Sequence, residues 1–248
     1  LEDYAKFREA ITGQKKVAIL GAGLIGCEFA NDLVLGGHEV DVIDLAPQAL
    51  GRLIPEIAAK ELQAKLSAAG VRWHFNTTAK SIDRAQNQIQ ITLSDGDSLS
   101  CDVVLSAIGL KPRIALAKAS GIHTGNGIQV NRKLETNIPH IYAIGDCSPG
   151  QALAHVAAKE GINAAEHIGY QEKKYHHLPE AMDYNNIPGC TYCTPEIASV
   201  GMTEKKAIEA GYEIKVGKFP FVASGKATAA GARDGFVKVI YDAKYGEL

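Results

Sequence analysis

The sequence predicts an α/β fold that opens with a parallel β-sheet, and three observations support this prediction. An apolar run at residues 17–20 leads into the glycine-rich segment GAGLIG, and a helical pattern begins near Gly26. A second apolar run at residues 39–43 ends in the carboxylate of Asp44. A strongly helical segment then precedes a third run at residues 71–75. Strands that alternate with helices in this order are typical of a parallel sheet with helical crossovers.

The other elements of this first unit follow from apolar periodicity and from glycine and proline. Residues 1–15 are typical of a short helix and a turn, and a proline-containing loop follows Asp44. Residues 56–69 are predicted to form a helix that stops at Gly70. The apolar side chains expected along one side of that helix are Ile57, Leu62 and Leu66. An antiparallel meander and a last strand that returns to the sheet are expected from residues 88–93, a turn at 94–96, and residues 102–109.

The glycines between the first strand and the first long helix have the spacing of a dinucleotide-binding loop. Gly21 allows the tight turn, and Gly23 lets a pyrophosphate approach the backbone without a Cβ in the way. Gly26 lets the helix pack closely on the strand, so that its positive N-terminal end faces the phosphate charge. The sequence thus predicts a dinucleotide site. The alternative is a glycine-rich turn that only closes the strand-helix unit.

The carboxylate of Asp44 indicates which dinucleotide would bind. It stands at the end of the second strand, where the adenosine ribose needs an acceptor for its hydroxyl groups. No arginine occurs among the next three residues, and a carboxylate would repel a 2′-phosphate, so NAD(H) is favoured over NADP(H). Arg52 leaves the second cofactor open as an alternative.

The second half of the chain reads as two further units. The sequence becomes looser and richer in small residues at residues 111–127, where we place a domain boundary. Two short extended pieces follow, and then a helix from about residue 151 to residue 168. A polar connection leads to a third unit of short strand-like runs and one helix that Thr203 opens.

The composition argues against several classes of partner. The chain has 248 residues and a net charge of −2, and its charges are scattered, so neither nucleic acid nor a membrane surface is an expected partner. No apolar run has the length of a membrane span and no secretory signal precedes the first strand, which makes the cytoplasm the expected compartment. The first residue is Leu1 rather than Met, and we expect the chain to be a fragment.

Three segments taken together resemble the flavin-dependent pyridine nucleotide-disulfide oxidoreductase superfamily. They are GAGLIGCE at residues 21–28, TNIPHIYAIGDC at residues 136–147 and TPEIASVGMTE at residues 194–204. In that superfamily an NAD domain is inserted into an FAD domain, and a dimer-forming interface domain follows. The resemblance therefore implies a Rossmann-like NAD-binding domain at residues 1–112, the second segment of an FAD domain at 113–177, and a truncated α+β interface domain at 178–248.

Two branches of the superfamily are represented. Residues 1–147 look most like rubredoxin reductase, which passes electrons from NADH through FAD to a small iron protein. Residues 152–248 look like dihydrolipoamide dehydrogenase, which oxidises a dithiol and reduces NAD. Either the chain is a mosaic joined near residues 148–151, or one lineage carries both signatures.

The resemblance also implies which residues hold the cofactors NAD(H) and FAD. The NAD(H) site would comprise Gly21, Gly23, Leu24, Ile25, Gly26, Glu28, Asp44 and Gly109. The FAD site would comprise Gly145, Asp146, Leu153, Ala154 and His155. In these roles, Glu28 lies near the nicotinamide ribose, Asp146 accepts a hydrogen bond from the ribityl chain, and the amides of the helix that begins near Leu153 face the flavin.

Plainer interpretations exist for three of these side chains. Asp146 has the character of a helix-capping aspartate. Glu28 is a carboxylate suited to the first turn of a helix, a role that does not exclude contact with a ribose. The side chain of His155 is expected to pack, with only its backbone taking part in the site.

The five cysteines do not form a recognisable reactive site. Their spacing differs from the C-x4-C pair of the lipoamide branch, and the first FAD glycine motif and a C-terminal His-Glu pair are also missing from the sequence. A C-x-x-C pair is present, but no second pair completes a zinc site. We expect packing cysteines, and no residue of this chain is identifiable as catalytic. The cysteines are Cys27, Cys101, Cys147, Cys190 and Cys193.

The predicted function is that of an FAD-dependent NAD(H) oxidoreductase in which hydride moves between nicotinamide and flavin, with this chain lacking the first FAD segment and the redox disulfide. The expected partners are the two cofactors, a second copy in a homodimer, and an electron acceptor that is a dithiol or a small redox protein. The alternative is a non-catalytic module for dinucleotide binding or dimerisation.

Overall fold

The fold is taken from a computed structural model, which describes residues 3–13, 15–86 and 88–248. The chain divides into two compact units, of which the first runs to Gly109 and resumes with Pro188–Leu248, and the second is Leu110–Ile187. Part of the predicted N-terminal helix and turn, at residues 1, 2 and 14, lies outside the described residues. The assignment of residues 1–112, 113–177 and 178–248 to NAD, FAD and interface domains stays a prediction.

The first unit is built on a four-stranded sheet in which all neighbouring strands are parallel. Its strands are β1 (Lys16–Leu20), β2 (Glu39–Asp44), β3 (Val71–Phe75) and β7 (Val103–Ser106), in the order β3-β2-β1-β7. The helical connections are α2 (Leu24–Leu35) and α3 (Glu56–Ala69), and α1 (Tyr4–Ala10) precedes the sheet. The α/β prediction is confirmed, since each apolar run forms a strand and each helical segment forms a crossover.

Apolar side chains cover both faces of this sheet, which explains why its strands read as continuous apolar runs. Alternate residues of β1 point to opposite faces. Val17 and Ile19 are fully buried in the cluster that includes Leu62 and Leu66 of α3. Ala18 is fully buried in a second cluster, which includes residues of the antiparallel meander.

The meander on that second face has two strands that were not expected, its first and its third. It consists of β4 (Ala79–Ala85), β5 (Gln88–Leu93) and β6 (Ser98–Cys101), which are paired antiparallel in this order. The sequence did not predict β4, because all but one of its residues are exposed at the sheet edge and its letters AKSIDRA show no apolar alternation. The expected strand at residues 102–109 is shorter, as β7, and returns to the parallel sheet as predicted.

Helix α3 has the predicted bounds, but its buried side is different. Ile57 is 44% exposed, and the prediction that it lies with Leu62 and Leu66 is wrong. The third buried residue is Ala59, because it shares a helix face with Leu62 and Leu66 at a spacing of three and four residues. Gly70 ends the helix with a φ of +117°, a left-handed conformation that favours glycine.

The second unit contains one long helix and little regular structure besides. Helix α5 (Ala154–Gln171) ends three residues later than expected, and a short helix, α4 (Ala115–Ala119), was not predicted. The two extended pieces form only isolated bridges, Thr124 to Ile128 and Glu135 to Tyr142. No helix in the described part of the chain, α5 included, is long and apolar enough to cross a membrane.

The last part of the chain returns to the first unit as short strands and helices. The predicted helix α6 (Glu204–Glu209) begins at Thr203, whose hydroxyl accepts the backbone N–H of Lys206 at 3.3 Å. Strands β10 (Ile214–Pro220) and β11 (Phe236–Asp242) pair antiparallel and agree with the strand-like runs predicted for this unit, whereas the short helix α7 (Gly225–Ala229) was not expected. The remaining elements are β8 (Gly189–Thr191) and β9 (Ile197–Ser199).

Candidate functional site

The glycine loop lies at the carboxyl end of β1, and two of its three glycines are required by the fold itself. Gly21 has a φ of +106°, and a Cβ there would lie 2.5 Å from the carbonyl oxygen of Ala107. A Cβ on Gly26 would overlap the carbonyl oxygen of Gly21 and lie 2.9 Å from its carbonyl carbon. Neither position has room for a side chain, because the neighbours are backbone atoms.

Gly23 differs from the other two glycines. Its φ is −78°, which any residue adopts, and a Cβ there would meet no heavy atom of the described residues within 4 Å. The fold therefore gives no reason for glycine at this position. The open space in front of Gly23 is where a ligand would come close to the backbone.

The N-terminus of α2 opens onto the same place. The helix starts at Leu24, two residues earlier than expected, and Gly23 is its N-cap. None of the described side chains caps this end, and the first turn carries no acidic residue. The first N–H groups of the helix, including those of Leu24 and Ile25, thus form a positive end suited to an anion.

Asp44 at the end of β2 is tied to the glycine loop. One carboxylate oxygen accepts the backbone N–H of Ala22 at 2.5 Å, and the other accepts that of Ala46 at 2.7 Å. Each carboxylate oxygen has a second lone pair, so Asp44 keeps acceptor capacity for a hydroxyl group. The side chain is half-buried, and its two bonds hold it beside the loop.

Gly109 lies three residues beyond β7, with a φ of +110° and an exposed backbone. Because β7 is parallel to β1 and adjacent to it, Gly109 follows the same carboxyl edge of the sheet as the glycine loop. The structure thus brings Gly21, Gly23, Gly26, Asp44 and the segment around Gly109 to one edge.

Glu28 takes a position that the sequence did not predict. It lies in the second turn of α2 rather than the first, because the helix starts at Leu24. Its carboxylate accepts the backbone N–H of Tyr192 at 2.9 Å, and the side-chain oxygen of Asn31, one turn later, accepts that of Thr194 at 3.0 Å. Helix α2 is thereby joined to the segment between β8 and β9. The role of Asn31 was not predicted. The only sign of it in the sequence is a polar residue on an otherwise apolar helix face.

The residues expected to hold FAD lie in the second unit. Gly145 and Asp146 form a short 3-10 turn with Cys147, in which Gly145 has a φ of +69° and Asp146 is exposed. A Cβ on Gly145 would lie 3.0 Å from that of Ala157, so this turn packs tightly on α5. Asp146 lies seven residues before Leu153, the N-cap of α5, and is too far along the chain to cap that helix. Asp146 therefore does not act as the helix cap.

The N-terminus of α5 resembles that of α2 in being open. Leu153 is its N-cap, no described side chain caps it, and Ala154 and His155 are exposed in its first turn. The aligned peptide dipoles again make this helix end positive.

A buried carboxylate, Glu160, was missed in the sequence. It lies on the buried side of α5 and is 2% exposed, and its oxygens accept the backbone N–H of Gly145 and the hydroxyl of Tyr184, both at 2.6 Å. Burial, together with the hydrogen bond to Glu160, raises the pKa of Tyr184 to about 12. The available signal was a charged residue within a helical stripe of buried positions, which are Val156, Glu160, Asn163, Ala164 and His167.

Three of the five cysteines, Cys27, Cys101 and Cys193, are buried, as expected of packing residues. Cys147 is partly exposed and Cys190 is exposed, so the packing expectation is wrong for Cys190. All five lie within the described residues, and each is a free thiol. Burial raises the pKa of Cys27 and of Cys193 to about 12, so neither thiol is activated as a nucleophile. No group of three or more His, Cys, Asp or Glu side chains in the described part of the chain could hold a metal ion.

Comparison with known proteins identifies two family signatures. Residues 1–161 match the family described as pyridine nucleotide-disulphide oxidoreductase, and residues 187–248 match the dimerisation domain of the same family. Both the dinucleotide-type loop and the 145–147 turn lie within the first match.

The relatives come from the two branches that the sequence resembles. Rubredoxin-NAD(+) reductase of Alcanivorax borkumensis is 49% identical over 159 residues, covering 63% of this chain and 42% of the relative. Dihydrolipoyl dehydrogenase of Mycobacterium leprae is 37% identical over 239 residues, covering 94% of this chain and 50% of the relative. The chain thus spans about half the length, or less, of these curated relatives.

A solved structure has the same fold. The HOCl-induced flavoprotein disulfide reductase RclA of Escherichia coli superposes with a TM-score of 0.82 at 27% identity, covering 94% of this chain and 53% of that protein. The predicted fold class is confirmed by this likeness and by the mixed parallel and antiparallel sheets.

Proposed function

The chain belongs to the pyridine nucleotide-disulphide oxidoreductase family, and we propose that it supplies the NAD(H) site and one segment of the FAD site of an NADH oxidoreductase. Members of this family use FAD and NAD(H). When bound, these cofactors carry the hydride chemistry themselves, so the task of the protein is to bind them, orient them and exclude water.

The observation that carries the NAD(H) proposal is the contrast among the three glycines. Gly21 and Gly26 are explained by backbone contacts, whereas Gly23 faces open space at the uncapped end of α2. Glycine at this position fits a pyrophosphate that lies against the backbone and accepts the N–H groups of the helix. The residues present therefore fit the cofactor.

We assign the adenosine end of the cofactor to Asp44. Its carboxylate is fixed by two backbone N–H groups and retains free lone pairs for the ribose hydroxyls. Gly109, at the same sheet edge, is placed to lie against the remainder of the cofactor. In this proposal Glu28 binds the nicotinamide ribose with the lone pairs that its hydrogen bond to the N–H of Tyr192 does not use.

The residues of the second unit fit FAD in a similar way. Asp146 is exposed and would accept a ribityl hydroxyl, and Gly145 lets the turn that carries Asp146 pack closely on Ala157 of α5. The positive N-terminal end of α5, at Ala154 and His155, would stabilise negative charge on the flavin. The N–H of Leu153 already donates to the carbonyl of Gln151 at 2.8 Å, so Leu153 would contribute through its position at the start of the helix. We propose that the first FAD segment and the redox disulfide lie outside this chain, since its sequence has no C-x4-C pair.

We further propose that the complete protein is a homodimer formed through residues 178–248, and that its electron acceptor is a dithiol or a small redox protein. The match of residues 187–248 to a dimerisation domain supports the first point. The relatives, one a rubredoxin reductase and the other a dihydrolipoyl dehydrogenase, support the second.

The first test is the substitution Gly23→Ala, with NADH binding measured by calorimetry. We expect the affinity for NADH to fall at least about tenfold, because the added methyl group occupies the place of the pyrophosphate. The thermal midpoint is expected to stay unchanged, since the methyl group meets no protein atom.

The matched control is Gly225→Ala in α7, where a Cβ also meets no described heavy atom and no left-handed φ is involved. Its NADH affinity should equal that of the unmutated chain. Unmutated protein that fails to bind NADH, or a Gly23→Ala variant that binds it normally, would contradict the proposed site.

A second expectation concerns the choice of dinucleotide. NADPH should bind at least about tenfold more weakly than NADH in the same calorimeter, because Asp44 would face the 2′-phosphate. Equal affinities would show that Arg52 or another cation neutralises the carboxylate.

Turnover separates the enzyme from a non-catalytic module. The purified chain is supplied with FAD, NADH and an artificial electron acceptor, and NADH oxidation is followed. Oxidation above the rate of free FAD supports the oxidoreductase, whereas tight NADH binding without oxidation supports a module for dinucleotide binding or dimerisation.

A further inference from the structure

Glu160 is the most completely buried acidic side chain of the second unit that the proposed function does not yet use. It is 2% exposed and lies in the middle of α5, one turn beyond Val156. A buried carboxylate is costly unless hydrogen-bond donors surround it. Here, both oxygens have a donor, the N–H of Gly145 and the hydroxyl of Tyr184.

The bond to Gly145 reaches the turn that carries Asp146. The N–H of Gly145 points to the carboxylate of Glu160 at 2.6 Å, and a charge-assisted bond of this length is among the stronger ones in proteins. On the other side of the same residue, the carbonyl oxygen of Gly145 accepts the N–H of Ser148 at 2.9 Å and its hydroxyl at 2.8 Å. The peptide groups on both sides of Gly145 are therefore held.

The position of the next residue follows from this restraint. Gly145 packs against Ala157 so closely that even a Cβ would stand only 3.0 Å from the Cβ of that residue. Because its N–H and its carbonyl are both bonded, Gly145 has little freedom of φ or ψ. The turn therefore holds Asp146 in one orientation. Asp146 itself is exposed and depends on the turn for its direction.

We propose that Glu160 is a positioning residue for flavin binding: it holds the N–H of Gly145 and thereby fixes Asp146 for the ribityl chain of FAD. This inference rests on the proposed role of Asp146 as an FAD ligand. The hydroxyl of Tyr184 donates to the other oxygen of Glu160 rather than to the turn, so Tyr184 offers a matched control on the same carboxylate.

The test compares Glu160→Gln with Tyr184→Phe in the full chain. FAD affinity is measured by quenching of flavin fluorescence, and hydrogen exchange is measured at residues 145–148. Gln removes the negative charge of Glu160, so its oxygen accepts only a neutral, weaker hydrogen bond from Gly145 while its NH₂ group donates to the hydroxyl oxygen of Tyr184. We expect Glu160→Gln to weaken FAD binding about tenfold and to speed exchange at Gly145, and Tyr184→Phe to change FAD binding less than about threefold.

The remaining variants separate this proposal from the flavin site itself. Asp146→Asn should weaken FAD binding without altering exchange at Gly145. If the unmutated chain takes up no FAD, the proposed flavin site fails and the role of Glu160 fails with it. If Asp146→Asn weakens FAD binding but Glu160→Gln does not, only the role of Glu160 is overturned. Equal losses of FAD affinity in Glu160→Gln and Tyr184→Phe also overturn that role, because they indicate general damage to the core.

Ser148→Ala covers the case in which Glu160→Gln does not fold. It removes the hydroxyl bond to the carbonyl of Gly145 and leaves the carboxylate in place. We expect FAD affinity to fall about threefold and exchange at residues 145–148 to rise. Normal FAD affinity with rapid exchange in this variant would show that the rigidity of the turn does not matter for flavin binding, which would overturn the proposal.

Discussion

Gly26→Ala is expected to cost about 3 kcal/mol or more in the free energy of unfolding and to abolish measurable NADH binding. The added methyl group would overlap the carbonyl oxygen of Gly21, which is a backbone atom of a tight turn. That turn has no room to move. The N–H of Gly21 donates to the carbonyl of Ile43 at 2.7 Å, and a Cβ on Gly21 would lie 2.5 Å from the carbonyl oxygen of Ala107. Helix α2 would have to separate from β1, and the loop between them would lose its form.

Urea unfolding followed by circular dichroism measures the stability change, and calorimetry measures NADH binding. Gly23→Ala is the matched control, since it makes the same substitution three residues earlier, in open space. We expect the control to keep the free energy of unfolding and to lose only NADH affinity. A Gly26→Ala protein as stable as the unmutated chain would show that the turn and the helix are not packed as the structure describes.

Arg72→Met is expected to cost about 2 kcal/mol, because it leaves a buried carboxylate without its main partner. Asp41 in β2 is 5% exposed and accepts two hydrogen bonds from the guanidinium of Arg72, at 2.9 and 2.7 Å. The ring of His74 is 2.8 Å from the same carboxylate. Arg72 is about half exposed, so the expected cost is set below that of a fully buried pair.

The same group makes the stability of the protein depend on pH. Burial of Asp41 favours its protonated form, but the hydrogen bonds and charges of Arg72 and His74 outweigh burial and lower its pKa below the ordinary value. A carboxyl group with a lowered pKa in the folded state stabilises the fold above its ordinary pKa, and this stabilisation is lost as the pH falls through the folded pKa. The free energy of unfolding should thus decline below about pH 4 more steeply in the unmutated chain than in Asp41→Asn.

Urea unfolding at a series of pH values between neutral and acidic checks this expectation. Lys60→Met is the control for Arg72→Met, because it removes an ion pair with Glu56 on the surface of α3, where both side chains are about 70% exposed. It should leave the free energy of unfolding nearly unchanged, because solvent screens an exposed ion pair. Parallel pH profiles for the unmutated chain and Asp41→Asn would contradict the assignment of the pH dependence to Asp41.

The parallel sheet and the glycine loop could be predicted from the sequence because their signals are local. The buried strands are apolar runs, the crossovers have helical periodicity, and the spacing of Gly21, Gly23 and Gly26 fits within six residues. Strand β4 could not be predicted in this way. It is an edge strand with nearly every residue exposed, so its pairing with β5, rather than its own composition, makes it a strand.

The partners of the site residues could not be predicted, because they come from distant parts of the chain. Glu28 bonds a backbone N–H 164 residues later, and Glu160 bonds Tyr184 from one side and Gly145 from the other. A carboxylate in a helix reads as an exposed charge until the packing of the helix is known. The sequence indicated where the two nucleotide motifs begin, but not which side chains hold them in place.

By itself, the sequence determined the α/β class, the position of the dinucleotide loop and the carboxylate at the end of β2, since strand, turn and helix signals act over a few neighbouring residues. Only the tertiary structure decided that Gly21 and Gly26 serve the fold while Gly23 faces open space, and that Glu160 is buried behind the turn of Asp146. The physical reason is that steric room, burial and hydrogen-bond partners are properties of atoms brought together by folding, and residues far apart in the chain carry no local sign of that contact.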